Sequence, residues 1–321
     1  MMKIALTITF MICCGQVLAW GFYAHRLINQ HAVYLLPPEM MILYKPNIYY
    51  LSEHAVDPDK RRYVVPEEGP RHYIDMDKYD LVWLSSRTVN WKNACDKYPQ
   101  DTLLAHGVVP WWIQTMLHRL TDGFIQMNVE KILKTSAELA HYISDAHVPL
   151  HTSSNHNGQL TGQHGIHGFW ESRIPELIAE AEWDFWPGQA RWIREPLRFT
   201  WDIIFESSNA SDSVLTFERM LNLKYIHGPK YSYENRNGVV VRQYSSSYTR
   251  AYDQVLGGMV ERRFMQSVEA VASFWYTAWI NAGQPDCSKL LKKELSQEDK
   301  DELKELNTKW KEGMIKGKAC D

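Results

Sequence analysis

The chain has 321 residues, of which 45% are hydrophobic, 23% charged and 12% aromatic. This composition is typical of a folded globular protein and excludes an intrinsically disordered chain, because the apolar content is large enough to offset the entropy of folding. The formal net charge of −3 excludes a strongly basic protein that binds nucleic acid mainly through attraction to its backbone.

The first 19 residues have the features of a secretory signal peptide. Lys3 gives a short positive segment, and an apolar stretch of the expected length covers residues 4–14. Val17 and Ala19 suit the −3 and −1 positions of a cleavage site before Trp20. The apolar stretch is too short for a transmembrane helix, and no other stretch approaches that length. We therefore expect a mature protein that begins at Trp20, lacks a transmembrane anchor and is secreted or periplasmic.

Helical periodicity dominates the rest of the chain. Apolar residues recur at intervals of three and four within residues 22–36, 38–55, 124–146, 168–183, 190–206, 211–224 and 250–282. Strand alternation is found only near residues 238–241, which predicts at most a short hairpin. Gly, Asn, Ser and Pro predict loops at residues 57–70, 152–166 and 227–248. The expected fold is all-α, with a single mostly helical domain at residues 20–286 and a charged tail at 287–321 that includes a peripheral helix.

The number of cysteines limits how many disulfide bonds the chain can form. The predicted cleavage leaves Cys95, Cys287 and Cys320, so at most one disulfide is possible. Without a cysteine cluster, a structural zinc site made of thiolates is not expected.

The segment from residue 141 to residue 171 is rich in histidine and acidic residues at helical spacing. His141 and Asp145 are four residues apart, as are His167 and Glu171, and His151 lies between the two pairs. Residues four apart share a helix face, and two helices that present such pairs at one level can build a metal site in a helical core. Imidazole and carboxylate together suit zinc. A single pair is usually a surface or capping pair, but two pairs so close in sequence favour a metal site.

The N-terminal third adds candidate ligands. His25 lies five residues after the predicted new N-terminus at Trp20. Two further segments contribute acids and histidines, which include Glu53, His54, Asp57, Asp59, His72 and Asp75. Asp59 and Asp75 have an alternative interpretation as turn residues, because aspartate favours turns without any further function.

Together these positions resemble the superfamily of zinc-dependent phospholipase C and the single-strand-specific (S-one/P-one type) nucleases. The resemblance covers the chain from Trp20 to about Glu171. Members are secreted and almost entirely helical, hold three zinc ions in one cleft, and begin at a tryptophan whose amino and carbonyl groups bind metal. The resemblance therefore implies a secreted, zinc-dependent hydrolase of phosphate esters that starts at Trp20.

The resemblance also implies a ligand set for each of the three zinc ions. The first ion would be held by Asp57, His72, His141 and Asp145. The second would be held by the amino and carbonyl groups of Trp20, by His25 and by Asp145, which would bridge the two ions. The third would be held by His151, His167 and Glu171, with positions left open for water or substrate, as is typical of catalytic zinc.

The implied reaction is attack of a zinc-activated water on phosphorus, with Asp57 and Asp145 as the acids that hold the reacting ions. Lys60, Arg61 or Arg62 could add positive charge near the transition state, and we expect Arg61 to have this catalytic role. The nuclease pattern places an arginine three residues after the acid that corresponds to Asp57, where this chain has Lys60.

The substrate is predicted from details of these motifs. Tyr73 and Asp75 resemble the nuclease residues that stack a base and hydrogen-bond its edge, which favours single-stranded nucleic acid or nucleotides. Glu171 and the short spacing between His151 and His167 instead resemble the phospholipases, so phospholipid is the alternative substrate. A secreted protein that binds zinc or glycans without catalysis is the second alternative.

Overall fold

The computed structural model describes residues 20–236, 238–291 and 295–313. These residues form an almost entirely helical protein with one small sheet, so the predicted all-α class is confirmed. The predicted signal peptide at residues 1–19 and Cys320 lie outside the described residues. Cys95 and Cys287, the described cysteines, are both free thiols. None of the described helices combines the length and the apolar character needed to cross a membrane.

The α-helices follow one another along the whole chain. In chain order they are α1 (Phe22–Tyr34), α2 (Pro38–Tyr44), α3 (Ile48–Glu53), α4 (Asp57–Arg61), α5 (Leu81–Leu84), α6 (Trp91–Lys97), α7 (Gln100–Ala105), α8 (Val109–Ile125), α9 (Val129–Ala146), α10 (Ile166–Gly168), α11 (Ile174–Glu182), α12 (Pro196–Lys224), α13 (Ser246–Leu256), α14 (Met259–Asn281) and α15 (Gln297–Lys311). A π-helical turn at Phe169–Arg173 joins α10 to α11, and short 3-10 helices include His54–Val56, Pro66–His72 and Pro149–Thr152.

The only sheet in the described part of the chain is a hairpin of β1 (Tyr231–Arg236) and β2 (Val239–Tyr244). The strands are antiparallel, and the register pairs Tyr231 with Tyr244 and Arg236 with Val239. The predicted short hairpin is therefore present.

Helix α9 lies at the centre of the molecule, where α1, α8, α12 and α14 surround it. The side chain of Asn128 caps its N-terminus by accepting from the backbone N–H of Lys131, and Pro149 follows its C-terminus. Every residue from position 135 to position 146 is buried. The polar residues near the end of α9 are thus held inside the protein rather than at its surface.

Several predicted helix boundaries are wrong for identifiable reasons. The predicted helix at 250–282 is two helices, because Gly257 and Gly258 have φ of +59° and +72° and interrupt it. The predicted helices at 190–206 and 211–224 are instead the single helix α12, in which Ser207 is buried and donates to the carbonyl oxygen of Ala146. The predicted loop at 57–70 contains α4 and most of the 3-10 helix Pro66–His72.

The charged tail forms the peripheral helix α15, as the sequence predicts, and this helix contacts the domain. The side chain of Asn307 accepts from the backbone N–H of Glu39 on α2, and Trp310 lies against Tyr276 of α14. The described part of the tail is therefore attached to the surface of the helical domain.

Candidate metal centre

Three groups of buried histidines and carboxylates could hold metal ions. Within each group the ligand atoms all lie within 4.8 Å of one another. The first group is His25, His141 and Asp145, the second is Asp59, His72 and His141, and the third is His151, His167 and Glu171. The first two groups share His141, and Nδ1 of His72 lies 2.9 Å from Oδ2 of Asp145, so they form one continuous cluster.

Seven separate elements bring these residues together. Helix α9 supplies His141 and Asp145 from one face, as their spacing predicts, and α1 supplies His25. The remaining ligands come from short segments that surround the end of α9; these are Asp59 on α4, His72 and His151 on 3-10 helices, His167 on α10 and Glu171 on the π-helical turn.

Backbone carbonyl groups fix the orientation of three of the imidazoles. Nδ1 of His141 donates to the carbonyl oxygen of Ala55 at 2.8 Å, and Nδ1 of His151 donates to that of His72 at 2.6 Å. Nδ1 of His167 donates to the carbonyl oxygen of His156 at 3.0 Å. With the proton on Nδ1, each ring turns the lone pair of Nε2 towards the cluster, which is how proteins orient histidines that bind metal.

The cluster is rich in acceptors and poor in donors. Among the described residues, no hydrogen bond reaches either carboxylate oxygen of Asp59 or Glu171, or Oδ1 of Asp145, and all of these atoms are buried. Nε2 of His167 lies 2.8 Å from Oε2 of Glu171, although both atoms are acceptors once Nδ1 carries the imidazole proton. A buried group that lacks a partner costs about 1–3 kcal/mol. Cations held by the three groups would satisfy these atoms, so the residues present fit a metal centre.

Burial controls the protonation of the centre. It raises the pKa of Glu171 to about 7 and lowers the pKa values of His141 and His167 to about 3. The pKa of Asp145 is raised well above its ordinary value by burial and by the nearby Asp59 and Glu171 carboxylates. The imidazoles of His141 and His167 are therefore neutral near pH 7. The carboxylates gain their negative charge most easily when a cation compensates it.

The structure corrects one predicted ligand, because it places Asp59 rather than Asp57 in the cluster. Asp57 is partly exposed and accepts from Nδ1 of His54 at 2.5 Å and from Nζ of Lys60 at 3.0 Å. Asp59 is fully buried, with Oδ1 3.9 Å from both His72 Nδ1 and His141 Nε2. Residues two apart in a helix point in roughly opposite directions, so α4 can direct only one of these acids inward. The position of Asp57 thus offers no geometric support for its predicted catalytic role.

Arg61 also lies away from the cavity, among partners within the protein. Its guanidinium group donates to Glu68 at 2.8 Å, to Glu138 at 2.9 Å and to Tyr142 at 3.1 Å, so it is held within the protein wall. Arg62 instead lines the cavity beside the cluster, and its Nη1 lies 3.7 Å from Oδ1 of Asp59. The spacing of the nuclease pattern, an arginine three residues after the acid, is fulfilled by Asp59 and Arg62. This signal was present in the sequence and could have identified both residues.

The cluster opens onto a cavity of 600 Å³. His72, His151 and His167 form its inner surface, while Arg62, Tyr73 and Asp75 lie on its walls. The Tyr73 hydroxyl donates to the carbonyl oxygen of Ala105 at 3.2 Å, and Oδ2 of Asp75 lies 3.3 Å from Nδ1 of His106. Both residues predicted to bind substrate therefore lie in the cavity that the histidines of the cluster line. His156, which belongs to the predicted loop at 152–166, also lines this cavity.

The predicted mature N-terminus lies beside the cluster. Trp20 is fully buried, and its indole N–H donates to the carbonyl oxygen of Ser144 at 2.8 Å. The backbone N–H of Gly21 donates to the carbonyl oxygen of Glu171 at 3.3 Å, and Nε2 of His25 lies 3.4 Å from Oδ1 of Asp145. Binding of metal by the Trp20 amino group depends on cleavage after residue 19 and stays a prediction.

No protein-family model matches the chain. The comparison with curated proteins finds no match either. The superfamily resemblance is therefore carried by the residues and their spacing.

Proposed function

We propose that this chain is a zinc-dependent phosphodiesterase that cleaves single-stranded nucleic acid or nucleotides and holds three zinc ions in the metal centre. The observation that carries the proposal is the position of the acceptor-rich cluster at the inner end of a 600 Å³ cavity, whose walls carry a cationic, an aromatic and an acidic side chain. A phosphodiester that is joined to a base requires these same complementary groups.

Bound zinc would supply Lewis-acid chemistry, which serves to activate a water and to stabilise the charge of a leaving group. The protein's own residues hold and orient the other groups. Asp59, Asp145 and Glu171 supply the negative charge that retains the cations. Arg62, directed by Asp59, would donate to a non-bridging phosphate oxygen and stabilise the transition state.

The base would be held by the cavity wall. Tyr73 offers an aromatic face for stacking, which contributes about 1–3 kcal/mol per base without sequence preference. Asp75 offers acceptor oxygens for an amino group on the base edge, and His106 positions this carboxylate. Since stacking and one arginine contact need little basic surface, the slightly acidic net charge of the chain is consistent with such a substrate.

A phospholipase C activity is the second candidate, and exposed apolar side chains favour it. Tyr63 lines the same cavity and is 53% exposed, and the adjacent Val64 is 79% exposed. These side chains could contact a lipid surface while a head group enters the cavity. The ligand group of His151 and His167 also contains a glutamate, Glu171, as the phospholipase pattern predicts.

The test is a parallel assay of the mature protein on single-stranded DNA, single-stranded RNA and phosphatidylcholine vesicles. We expect release of nucleotides alone, abolition by Asp145→Asn, and normal turnover for the surface control Asp57→Asn. Cleavage of the vesicles alone would assign the phospholipase activity instead. Full zinc content without turnover on any substrate would identify a non-catalytic zinc-binding protein.

A further inference from the structure

The imidazole of His72 is oriented differently from three other rings of the metal centre. His141, His151 and His167 each direct Nδ1 to a backbone carbonyl oxygen and Nε2 towards the cluster. In His72 the arrangement is reversed. Its Nδ1 lies 2.9 Å from Oδ2 of Asp145 and 3.1 Å from Nε2 of His141, so this nitrogen faces the other ligand atoms. A cation held by His72 would therefore bind at Nδ1.

Binding at Nδ1 fixes the position of the ring proton. Nδ1 must then offer a lone pair, so the single proton of the neutral imidazole lies on Nε2. Nε2 of His72 is buried and has no hydrogen-bond partner among the described residues. A histidine that binds metal almost always donates its second ring N–H to a carboxylate, a carbonyl oxygen or water. The ring of His72 therefore requires an acceptor on the side that faces away from the cluster.

Glu68 supplies a carboxylate on that side of the ring. Its Oε1 lies 3.7 Å from Nε2 of His72, and no other carboxylate of the described residues lies within 4.0 Å of this nitrogen. Both side chains are almost completely buried, which strengthens a hydrogen bond between them. The distance is about 0.8 Å longer than in an ordinary N–H···O bond, so a small shift of the ring would complete the contact.

Other donors fix the position of Glu68 and keep it outside the cluster. Oε2 accepts from Nε of Arg61 at 2.8 Å and from Nη1 of Arg71 at 2.7 Å, while Oε1 accepts from the Tyr142 hydroxyl. Another donor to Oε1, Nη2 of Arg61, is 3.4 Å away, so this oxygen can accept a closer one. The carboxylate is thus held as an acceptor beside the ring of His72 and is not itself a metal ligand.

We propose that Glu68 is a positioning residue of the metal centre, which accepts a hydrogen bond from Nε2 of His72 and thereby directs Nδ1 towards the cation. This inference deepens the proposed function, because it rests on zinc binding by the centre, and it does not depend on which phosphate ester is cleaved. A carboxylate acceptor also makes the imidazole a stronger ligand, since it raises the basicity of the ring. Acceptor and ligand are four residues apart on the same 3-10 helix, Pro66–His72.

The experiment measures the zinc affinity of matched variants of the mature protein, by calorimetry in competition with a chelator. Glu68→Gln keeps the size of the side chain. Its carbonyl oxygen should face the two arginines, which turns the NH2 group, a donor, towards His72. We expect zinc affinity to fall about 10–100-fold. Glu138→Gln is the control and should bind zinc as the unchanged protein does, because Glu138 pairs with the same Arg61 but with no histidine in the described part of the chain.

A second measurement tests the geometry without any substitution. An NMR-active isotope of cadmium replaces zinc in protein with isotope-labelled histidine rings, and the metal–nitrogen couplings identify the nitrogen that binds. We expect His72 to be coupled through Nδ1 and to carry its proton on Nε2. This Nε2–H signal should change in Glu68→Gln and stay the same in Glu138→Gln. Coupling of His72 through Nε2 would overturn the proposal, even if Glu68→Gln does not fold.

The outcomes separate this positioning role from the proposed function. If the unchanged protein binds zinc and cleaves a substrate while Glu68→Gln keeps its zinc affinity, the role of Glu68 is refuted and the function stands. If the unchanged protein binds zinc but cleaves nothing, the phosphodiesterase function fails, and the zinc affinities and couplings still decide the role of Glu68. Equal loss of affinity in Glu68→Gln and Glu138→Gln would indicate a general structural effect and overturn the proposal. An unchanged protein that binds no zinc would overturn both.

Discussion

The matched variants Asp59→Asn and Asp57→Asn test the metal centre most directly. The two acids are two residues apart on the same short helix, and the substitutions change the same atoms. Asp59 is fully buried and faces His72 and His141, whereas Asp57 accepts hydrogen bonds from His54 and Lys60 at the surface. We expect Asp59→Asn to lose zinc and activity, and Asp57→Asn to keep both.

The expected magnitudes differ enough to be measured. Loss of a group that merely hydrogen-bonds a ligand weakens metal binding by about 10–100-fold, so loss of the Asp59 carboxylate should weaken it by at least about 100-fold. That factor equals about 2.7 kcal/mol, which is also lost from the free energy of unfolding of the zinc-saturated protein. The thermal midpoint should fall by about 4 °C, since the unfolding entropy scales with chain length. Asp57→Asn removes exposed ion pairs worth about 0.2–1 kcal/mol.

The assay combines zinc content after gel filtration with thermal unfolding, measured with zinc and after chelation. In the chelated protein Asp59→Asn should be no less stable than the unchanged chain, because the carboxylate has no hydrogen-bond partner there and burial raises its pKa. The destabilisation should therefore appear only when zinc is present. Zinc loss in Asp57→Asn with retention in Asp59→Asn would refute the assignment, and equal destabilisation of Asp59→Asn with and without zinc would indicate a purely structural role.

Other expected outcomes follow from the same site. Arg61→Ala should lower the free energy of unfolding, measured by denaturant titration, by about 1–3 kcal/mol, because buried Glu68 loses one of its donors. Arg62→Ala should lower kcat with little change in stability. The opposite division of effects would restore Arg61 as the catalytic arginine. Zinc affinity, measured by calorimetry, should fall about ten-fold from pH 8 to pH 6, because burial raises the pKa of Glu171 to about 7 and its proton must leave before zinc binds. Glu171→Gln should bind zinc more weakly and lose this proton release; an unchanged pH dependence would exclude Glu171 as its source. One extra residue before Trp20 should abolish turnover and lower zinc content, and normal turnover of such a form would exclude the amino group as a ligand.

The sequence predicts well the parts of this protein that depend on long, regular patterns. Helix α9 is long and amphipathic, so the spacing of His141 and Asp145 places both on its buried face. His167 and Glu171 also come together, although their segment changes from an α-helix to a π-helical turn. The all-α class can be predicted because helical periodicity dominates along the chain.

The errors lie where a short element decides which side chain points inward. Helix α4 has only five residues, and Pro58 is its second residue, so apolar periodicity cannot define its buried face. The prediction therefore chose Asp57 where Asp59, two positions later, faces the cluster, and Arg61 where Arg62, one position later, lines the cavity. The face that α4 turns inward depends on its contacts with α9, so periodicity within α4 does not reveal it, and the spacing of Asp59 and Arg62 was the signal that could have.

Two buried glutamates of this protein show why the cluster is better explained by cations than by structural needs. Glu68 is fully buried and accepts from Arg61 at 2.8 Å, from Arg71 at 2.7 Å and from the Tyr142 hydroxyl. Although burial alone would raise the pKa of Glu68, these donors bring it below its ordinary value. Glu171 is equally buried, yet neither of its oxygens receives a hydrogen bond from the described residues, and burial raises its pKa to about 7. The fold thus supplies donors where a carboxylate is structural. The acceptors around Glu171 face one another instead, and a cation is the partner that would satisfy them together.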